Sequence, residues 1–414
     1  MSFDIALSGI QAINESLNST SQNIANAGTY GYKAERANFS SLVSGEAQVG
    51  VTIGSVTQNI SKPGGILSTG RSLDASINGS GFFIAKDANT GQTEYTRVGI
   101  FDASKEGFLI DAQGRRVQGY PIDTATGTLG AVGALPIPTG AIPAVVSAKM
   151  NYIGNMSADW AKPLGTFNTP PITPATPPEP NTFNMSKATV VYDTLGGKHT
   201  LTQYFVRDNT DPNLVNVNYV LDGALVSGAT TALKFDQNTG AMASVNAVAD
   251  DTISTIALNV TAANGGKLGN IAIDYAGTTG FAGEATTSTN SADGYASGTF
   301  TSVALGSDGS LIATYTNGQK QTVGRLAMAN FANEGALTTV TGTSWVESVS
   351  SGQPLVNAPG VGMAGTISAS SLEQSNVDIT SELVGLMTSQ RNYQANSKVI
   401  QTESTMLQSL MQAI

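Results

Sequence analysis

The sequence predicts a multidomain, mainly β protein with α-helical termini, in which the N- and C-terminal helices form a coiled-coil-like inner domain beneath nested outer β domains. Two observations predict it. Both ends carry apolar seams stepping by three and four residues, and the interior carries short alternating runs between Gly-containing turns. At the start the seam is Phe3, Ala6, Ile10, Ile13, Leu17, Thr20 and Ile24. At the end it is Ile379, Leu383, Leu386, Gln390, Tyr393, Ser397, Ile400, Ser404, Leu407, Met411 and Ile414. Such spacing shows one narrow stripe to a partner. The first helix is only about three heptads long, near the limit at which an isolated helix is marginal in water, so it needs neighbours. A second stripe, Met387, Val399, Met406 and Leu410, gives the last helix another contact face.

The elements follow in order. Residues 1–28 read as an N-terminal axial helix stopped at Asn26-Ala27-Gly28, since Gly supplies the left-handed residue that ends helices. Residues 29–71 read as an extended linker, irregular in pattern and broken by Lys62-Pro63-Gly64-Gly65. Residues 72–145 read as the first part of an inner β domain. There Leu73, Ala75 and Ile77 alternate before Asn78-Gly79, and further runs lie at 108–110 and 117–122. A Pro-rich zone spans Pro163 to Pro180, with Pro170, Pro171, Pro174, Pro177 and Pro178, and suits an extended excursion. Residues 146–285 read as an inserted outer β domain, with Val190-Val191-Tyr192 and Tyr204-Phe205-Val206 flanking Gly196-Gly197. Residues 286–365 return to the inner β domain through the hairpin signals Ser307-Asp308-Gly309 and Asn317-Gly318. Residues 366–414 read as the C-terminal axial helix, capped near Ser375 to Asp378.

Composition narrows the function. Charged residues are 12% of 414, about half the usual share of roughly 25%. A weakly charged surface repels its own copies little and favours ordered association. The formal net charge of −10 argues against nucleic acid, since no basic patch neutralises phosphates. Cysteine is absent, which excludes disulfides, cysteine nucleophiles and thiolate metal sites. The start lacks a basic segment and apolar core of the secretory type. No run of eighteen apolar residues occurs, so no helical membrane insertion is expected.

Candidate chemistry is sparse. His199 beside Lys198 in a predicted hairpin reads as structural, with no nucleophile or carboxylate assigned to it. Gly360-Val361-Gly362-Met363-Ala364-Gly365 matches a dinucleotide fingerprint formally, yet lacks the preceding strand and following helix. Asp87-Ala88-Asn89-Thr90-Gly91 lacks the helices and closing glutamate of a calcium loop. The expectation is a protein that is not an enzyme and takes no cofactor and no metal.

Several blocks resemble one family. Gln22-Asn23-Ile24-Ala25-Asn26-Ala27-Gly28-Thr29-Tyr30-Gly31-Tyr32-Lys33 resembles the signature of the axial rod-and-hook proteins of the bacterial flagellum. Leu73 to Phe83, Tyr95-Thr96-Arg97-Val98-Gly99 and Gly114 to Tyr120 extend the likeness. Leu372-Glu373-Gln374-Ser375-Asn376-Val377-Asp378 and Gln390-Arg391-Asn392-Tyr393-Gln394-Ala395-Asn396 resemble its terminal module. The motif residues are thus Asn23, Ala25, Asn26, Thr29, Gly31, Lys33, Asn376, Val377, Asp378, Arg391, Tyr393, Ala395 and Asn396. The resemblance covers roughly the first 125 residues and the last 120.

The resemblance implies a structural subunit that polymerises with itself into the bent hook, a universal joint passing motor torque to the filament. It implies export through the flagellar type III apparatus without a cleaved leader, and rod, hook cap and hook–filament junction proteins as partners. It places both terminal helices in the inner wall of a tube, with Phe3, Ile10, Ile13, Leu17, Ile24, Ile379, Leu383, Leu386, Tyr393, Ile400, Leu407 and Met411 as assembly residues. A large insertion favours hook over a distal rod protein. A β-rich cell-surface adhesin with dimerising helices is the rival outside the family.

Overall fold

The protein is described by a computed structural model covering residues 2–44, 47–123, 127–168, 171–261 and 265–413. Pro170 and Ile414 of the sequence patterns lie outside the described residues. The chain divides into two compact units: residues 1–139 with 301–314 and 320–414, and residues 140–300 with 315–319.

The first unit begins with helix α1 (Ser2–Ala25). The segment expected as an irregular linker instead forms a long hairpin, β1 (Glu35–Ser44) and β2 (Ala47–Gln58). Its pattern escaped notice because the ladder slips between Asn38 and Phe39 and between Leu42 and Val43. Each slip moves the apolar residues to the other face and destroys strict alternation. The last third of the chain differs too. Residues 366–378, expected as helix, contain strands Thr366–Ala369 and Ser371–Glu373, and helix α2 spans Ile379–Ala413. Those strands pair antiparallel with Ala75–Asn78 and Ile66–Ser68, so the returning chain closes onto the outgoing one.

The main sheet of this unit interleaves early and late sequence. Its order runs Phe300–Leu305, Ser310–Tyr315, Lys320–Leu326, Arg116–Pro121, Phe82–Lys86, Thr93–Thr96, Ser344–Val346, Thr338–Val340. The Asn317-Gly318 turn joins two of these strands, with Gly318 at φ +80°. The core clusters Phe82, Ile84, Tyr95, Phe331, Leu337 and Trp345. Phe82 meets Phe331 and Trp345 edge-on, with ring centroids 6.0 and 5.5 Å apart. Trp345 also donates its indole N–H to Gln58 Oε1 at 2.8 Å, which fastens the base of the hairpin to this core.

The second unit holds a six-stranded antiparallel sheet and a four-stranded sheet. Residues 286–300, expected in the inner domain, belong here because Thr286–Ala292 pairs along Lys149–Asn155. Entry and exit lie together through the bridges Ile142 to Gly298 and Val145 to Tyr295. Alternation is clean: Leu201, Phe205, Val215, Val217, Tyr219, Leu233, Ile271 and Ile273 point into one core. Inside it, Tyr219 and Tyr275 share a 2.7 Å hydrogen bond, Tyr275 donates to Gln203 Oε1 at 2.8 Å, and Thr231 links Tyr219 to Ser254. Burial pushes the Tyr219 hydroxyl up to about 12. It acts as a neutral hydrogen-bonding group, and the satisfied network sets the register of strands from both sheets.

Phe82 is the most exacting position of the first core. Phe82→Ala is expected to cost about 3–5 kcal/mol, read in a Trp160→Phe background as a fall in the denaturation midpoint reported by Trp345 fluorescence.

Candidate assembly site

α1 and α2 lie side by side and antiparallel. Gly9 faces Asn396, Ser16 Oγ lies 3.4 Å from Ser389 Oγ, and Asn23 Nδ2 donates to Glu382 Oε1 at 2.9 Å. Each step forward along α1 is matched by one step back along α2. The groups paired at these three levels are small or polar. α1 turns Ala6, Ala12, Ser19, Thr20 and Asn23 inward, where it packs on α2 and the β1–β2 hairpin. Ser8 Oγ accepts the Val51 N–H at 3.2 Å, joining helix to hairpin.

Of the twelve residues expected to make assembly contacts, half are exposed and none is fully buried. Phe3, Ile379, Leu383, Tyr393, Leu407 and Met411 are exposed, and Ile10, Ile13, Leu17, Ile24, Leu386 and Ile400 are half-buried. The second stripe is open as well: Met387, Val399, Met406 and Leu410 are each between 45% and 59% exposed. Beyond residue 403 every described side chain of α2 is exposed, past the stretch that α1 flanks. The hydroxyls of Thr388, Thr402, Thr405 and Ser409 fold back onto their own helix, bonding the carbonyl four residues earlier. Their hydroxyl protons are thus spent within the helix, and such bonds slightly destabilise it. The hairpin exposes apolar groups too, at Phe39, Leu42, Val43, Ile53 and Val56.

The motif residues collect at the junction where the chain leaves α1 and enters α2. Asn23 is buried and fully satisfied: Oδ1 accepts the Glu35 N–H at 2.8 Å and the Tyr32 hydroxyl at 3.3 Å, while Nδ2 donates to Glu35 O and Glu382. Asn26 and Thr29 close the helix end, with Thr29 Oγ1 donating to Asn26 Oδ1 at 3.2 Å. Gly31 sits at φ +67°, and a side chain there would press on Val98 at 2.8 Å. Asn376 Oδ1 accepts the Ala34 N–H at 2.7 Å, and its Nδ2 donates to Asn59 O and Lys62 O, both at 2.9 Å. Asp378 caps α2, accepting from Thr380 N at 2.9 Å and from the Ser381 hydroxyl at 3.1 Å. Val377 is half-buried beside it and Ala25, the last residue of α1, is exposed, whereas Arg391, Tyr393, Ala395 and Asn396 lie along α2 away from the junction.

At the centre lies a buried carboxylate that the candidate set lacked. Glu373 Oε1 accepts Lys33 Nζ at 2.6 Å and the Gly64 N–H at 3.0 Å, and Arg97 reaches Oε2 at 3.4 Å. All three charged side chains are at most 2% exposed. Lys33 also donates to Lys62 O at 2.9 Å. Burial pushes the Lys33 ammonium below its usual range, although Glu373 opposes that fall. The Lys62-Pro63-Gly64-Gly65 turn is threaded tightly here: a side chain at Gly64 would lie 1.9 Å from Gln374 O. A lysine, an arginine and a glutamate inside a chain with so few charges were the available signal, although only folding reveals that they meet.

Glu373→Gln is expected to destabilise the first unit by about 3–5 kcal/mol, because two buried cations lose their counter-charge. Urea denaturation checks it, and Gln374→Ala, one residue away, serves as the control.

Comparison with known proteins agrees with this arrangement. Residues 76–155 match the family described as flagellar hook protein FlgE/F/G D1 domain. Residues 160–295 match flagellar basal body protein FlaE D2 domain, and residues 368–413 match flagellar basal body rod FlgEFG protein C-terminal. Flagellar hook protein FlgE of Escherichia coli (strain K12) is 32% identical, over 99% of each chain. That of Brucella suis is 33% identical, over 98% of this chain and 96% of its own length. The fold resembles the crystal structure of Helicobacter pylori flagellar hook protein FlgE2, with a TM-score of 0.51 at 13% identity, over 74% of this chain and 99% of that one. The chain belongs to the flagellar hook protein family.

Proposed function

We propose that copies of this chain polymerise into the flagellar hook by burying the open faces of α1, α2 and the β1–β2 hairpin against one another. The observation that carries this reading is the row of large apolar side chains that one chain leaves in water, from Leu383 and Met387 to Leu410 and Met411. Contiguous exposed apolar surface of this kind marks an interaction site. Burying each Leu or Met returns roughly 1.5–3 kcal/mol. The helices then form a densely packed inner wall that resists compression.

The β units supply the compliant part of the tube. With charged residues at 12%, rigid ion-pair locks between their surfaces are few, and Ser, Thr and Asn contacts can exchange as the tube bends. On this reading the chain has a mechanical role rather than a catalytic one. Its neighbours are the rod at one end and the hook cap and hook–filament junction proteins at the other, and the type III export apparatus delivers the subunits outside the cell.

The test substitutes Leu407→Asp, at an exposed position. The isolated subunit should keep its melting temperature, while the critical concentration for polymerisation rises about tenfold or more, because an unpaired carboxylate enters an apolar interface. Light scattering and electron microscopy of the polymer read it. Wild-type polymerisation by Leu407→Asp would overturn the proposal.

A further inference from the structure

His199 is the single histidine of the chain, and neither the assembly faces nor the junction uses it. It lies in the second unit on strand Lys198–Arg207. Its ring is bracketed: Nδ1 is 2.6 Å from Asp222 Oδ2, and Nε2 is 3.3 Å from Asp193 Oδ2. Carboxylates only accept hydrogen bonds, so both ring nitrogens must donate, and only the imidazolium can do so.

The two carboxylates organise different parts of the unit. Asp193 is fully buried, and its Oδ1 accepts the Leu195 and Gly197 N–H groups at 2.8 and 2.7 Å, shaping that turn. Gly266, which leads into strand Lys267–Asp274 of the four-stranded sheet, passes so close that a side chain there would fall 2.1 Å from Asp193 Oδ2. Asp222 is half exposed, sits at φ +48° before Gly223 at φ +81°, and accepts the Thr200 N–H at 2.8 Å. Lys198 precedes the ring on its own strand, and Lys267 stands on the neighbouring sheet, where its carbonyl accepts the Thr194 N–H at 3.2 Å. Asp193 and Asp222 lie on different edges of the ring and do not converge. Among the described residues no cluster of His, Asp or Glu could hold a metal ion.

We propose that His199 is a proton-operated latch of the second unit, clamping the Asp222–Gly223 turn to the Asp193–Gly197 turn when charged and releasing Asp222 when neutral. A neutral ring keeps one N–H. That donor stays with buried Asp193, because a buried carboxylate losing a donor costs more than an exposed one that can turn to water. Asp222 Oδ2 then faces a lone pair and parts from the ring, while Oδ1 keeps the Thr200 N–H and the Asp222 N–H keeps Thr200 O. The same turn walls a cleft of about 600 Å³ lined by Leu221, Leu225, Leu258 and Val260, so release loosens one side of that cleft.

The sign follows from the surroundings. Burial disfavours the charged ring, yet the hydrogen bonds and charges of Asp222 and Asp193 outweigh it and raise its pKa. The latch is therefore fully engaged below the unfolded-state value of about 6.5 and is lost as pH rises through the higher folded value.

The experiment is a titration of the dilute full-length chain by NMR, following the one imidazole by long-range proton–nitrogen correlation together with the amides of residues 193–200 and 221–226. The expected result is a midpoint above about 6.5, amides of 221–226 moving with the same midpoint, and a lower midpoint in Asp222→Asn. A midpoint at or below about 6.5 overturns the latch, as does an unchanged midpoint in Asp222→Asn or a turn 221–226 that does not follow the ring. Asp222 is exposed, so its variant should fold. If it does not, the wild-type midpoint and the 221–226 amides decide the matter alone.

Discussion

One buried carboxylate holds the terminal module in place. Glu373 enters from the strand that precedes α2, Lys33 from the turn that follows α1, and Arg97 from the β sheet between them in sequence. Taking three charges out of water is costly, and attraction offsets the cost only when geometry and hydrogen bonding are both good. Here the Gly64 N–H and the carbonyls of Lys62 and Gly79 supply further partners, while Arg97 Nε is buried without one. The cluster ties the turn after α1, the Lys62–Gly64 turn and the strand before α2 to one another. Asn23 and Asn376 act in the same way by saturating backbone groups that would otherwise be stranded.

With the helix roots fixed, the character of the helices themselves becomes intelligible. Glycine, serine and asparagine contacts between them set their register. Leu383, Met387, Met406, Leu407, Leu410 and Met411 stay exposed. A subunit built like this has a well-determined base and weakly held tails, so that association supplies what folding of one copy leaves out. The two β units, by contrast, own complete cores, with Phe82 and Trp345 in one and the Tyr219–Tyr275 network in the other.

How much of this was readable beforehand depended on how local the determinant was. The helices showed themselves because their spacing is regular over many turns, and the Asn317-Gly318 hairpin because its turn chemistry is short-range. The β1–β2 hairpin stayed hidden, since two register slips scatter Phe39, Leu42, Val43 and Ile53 across both faces. Residues 366–373 read as part of the C-terminal helix segment, since strands of three and four residues acquire meaning only from partners near residues 66–78. Spacing also marked the seam residues as contact-makers without revealing that polar neighbours such as Ser16 and Ser389 would take the place inside the chain. Glu373 was the hardest to see. Its role comes from charges 276 and 340 positions away in sequence.

The central claim is that the outer faces and free end of α2 gain their order from other copies of the chain. Hydrogen exchange of the amides in residues 404–413, compared between the dilute subunit and the polymer, tests it most directly. The account predicts exchange near the unfolded rate in the solitary chain and strong protection in the polymer. Equal, strong protection in both states would contradict it.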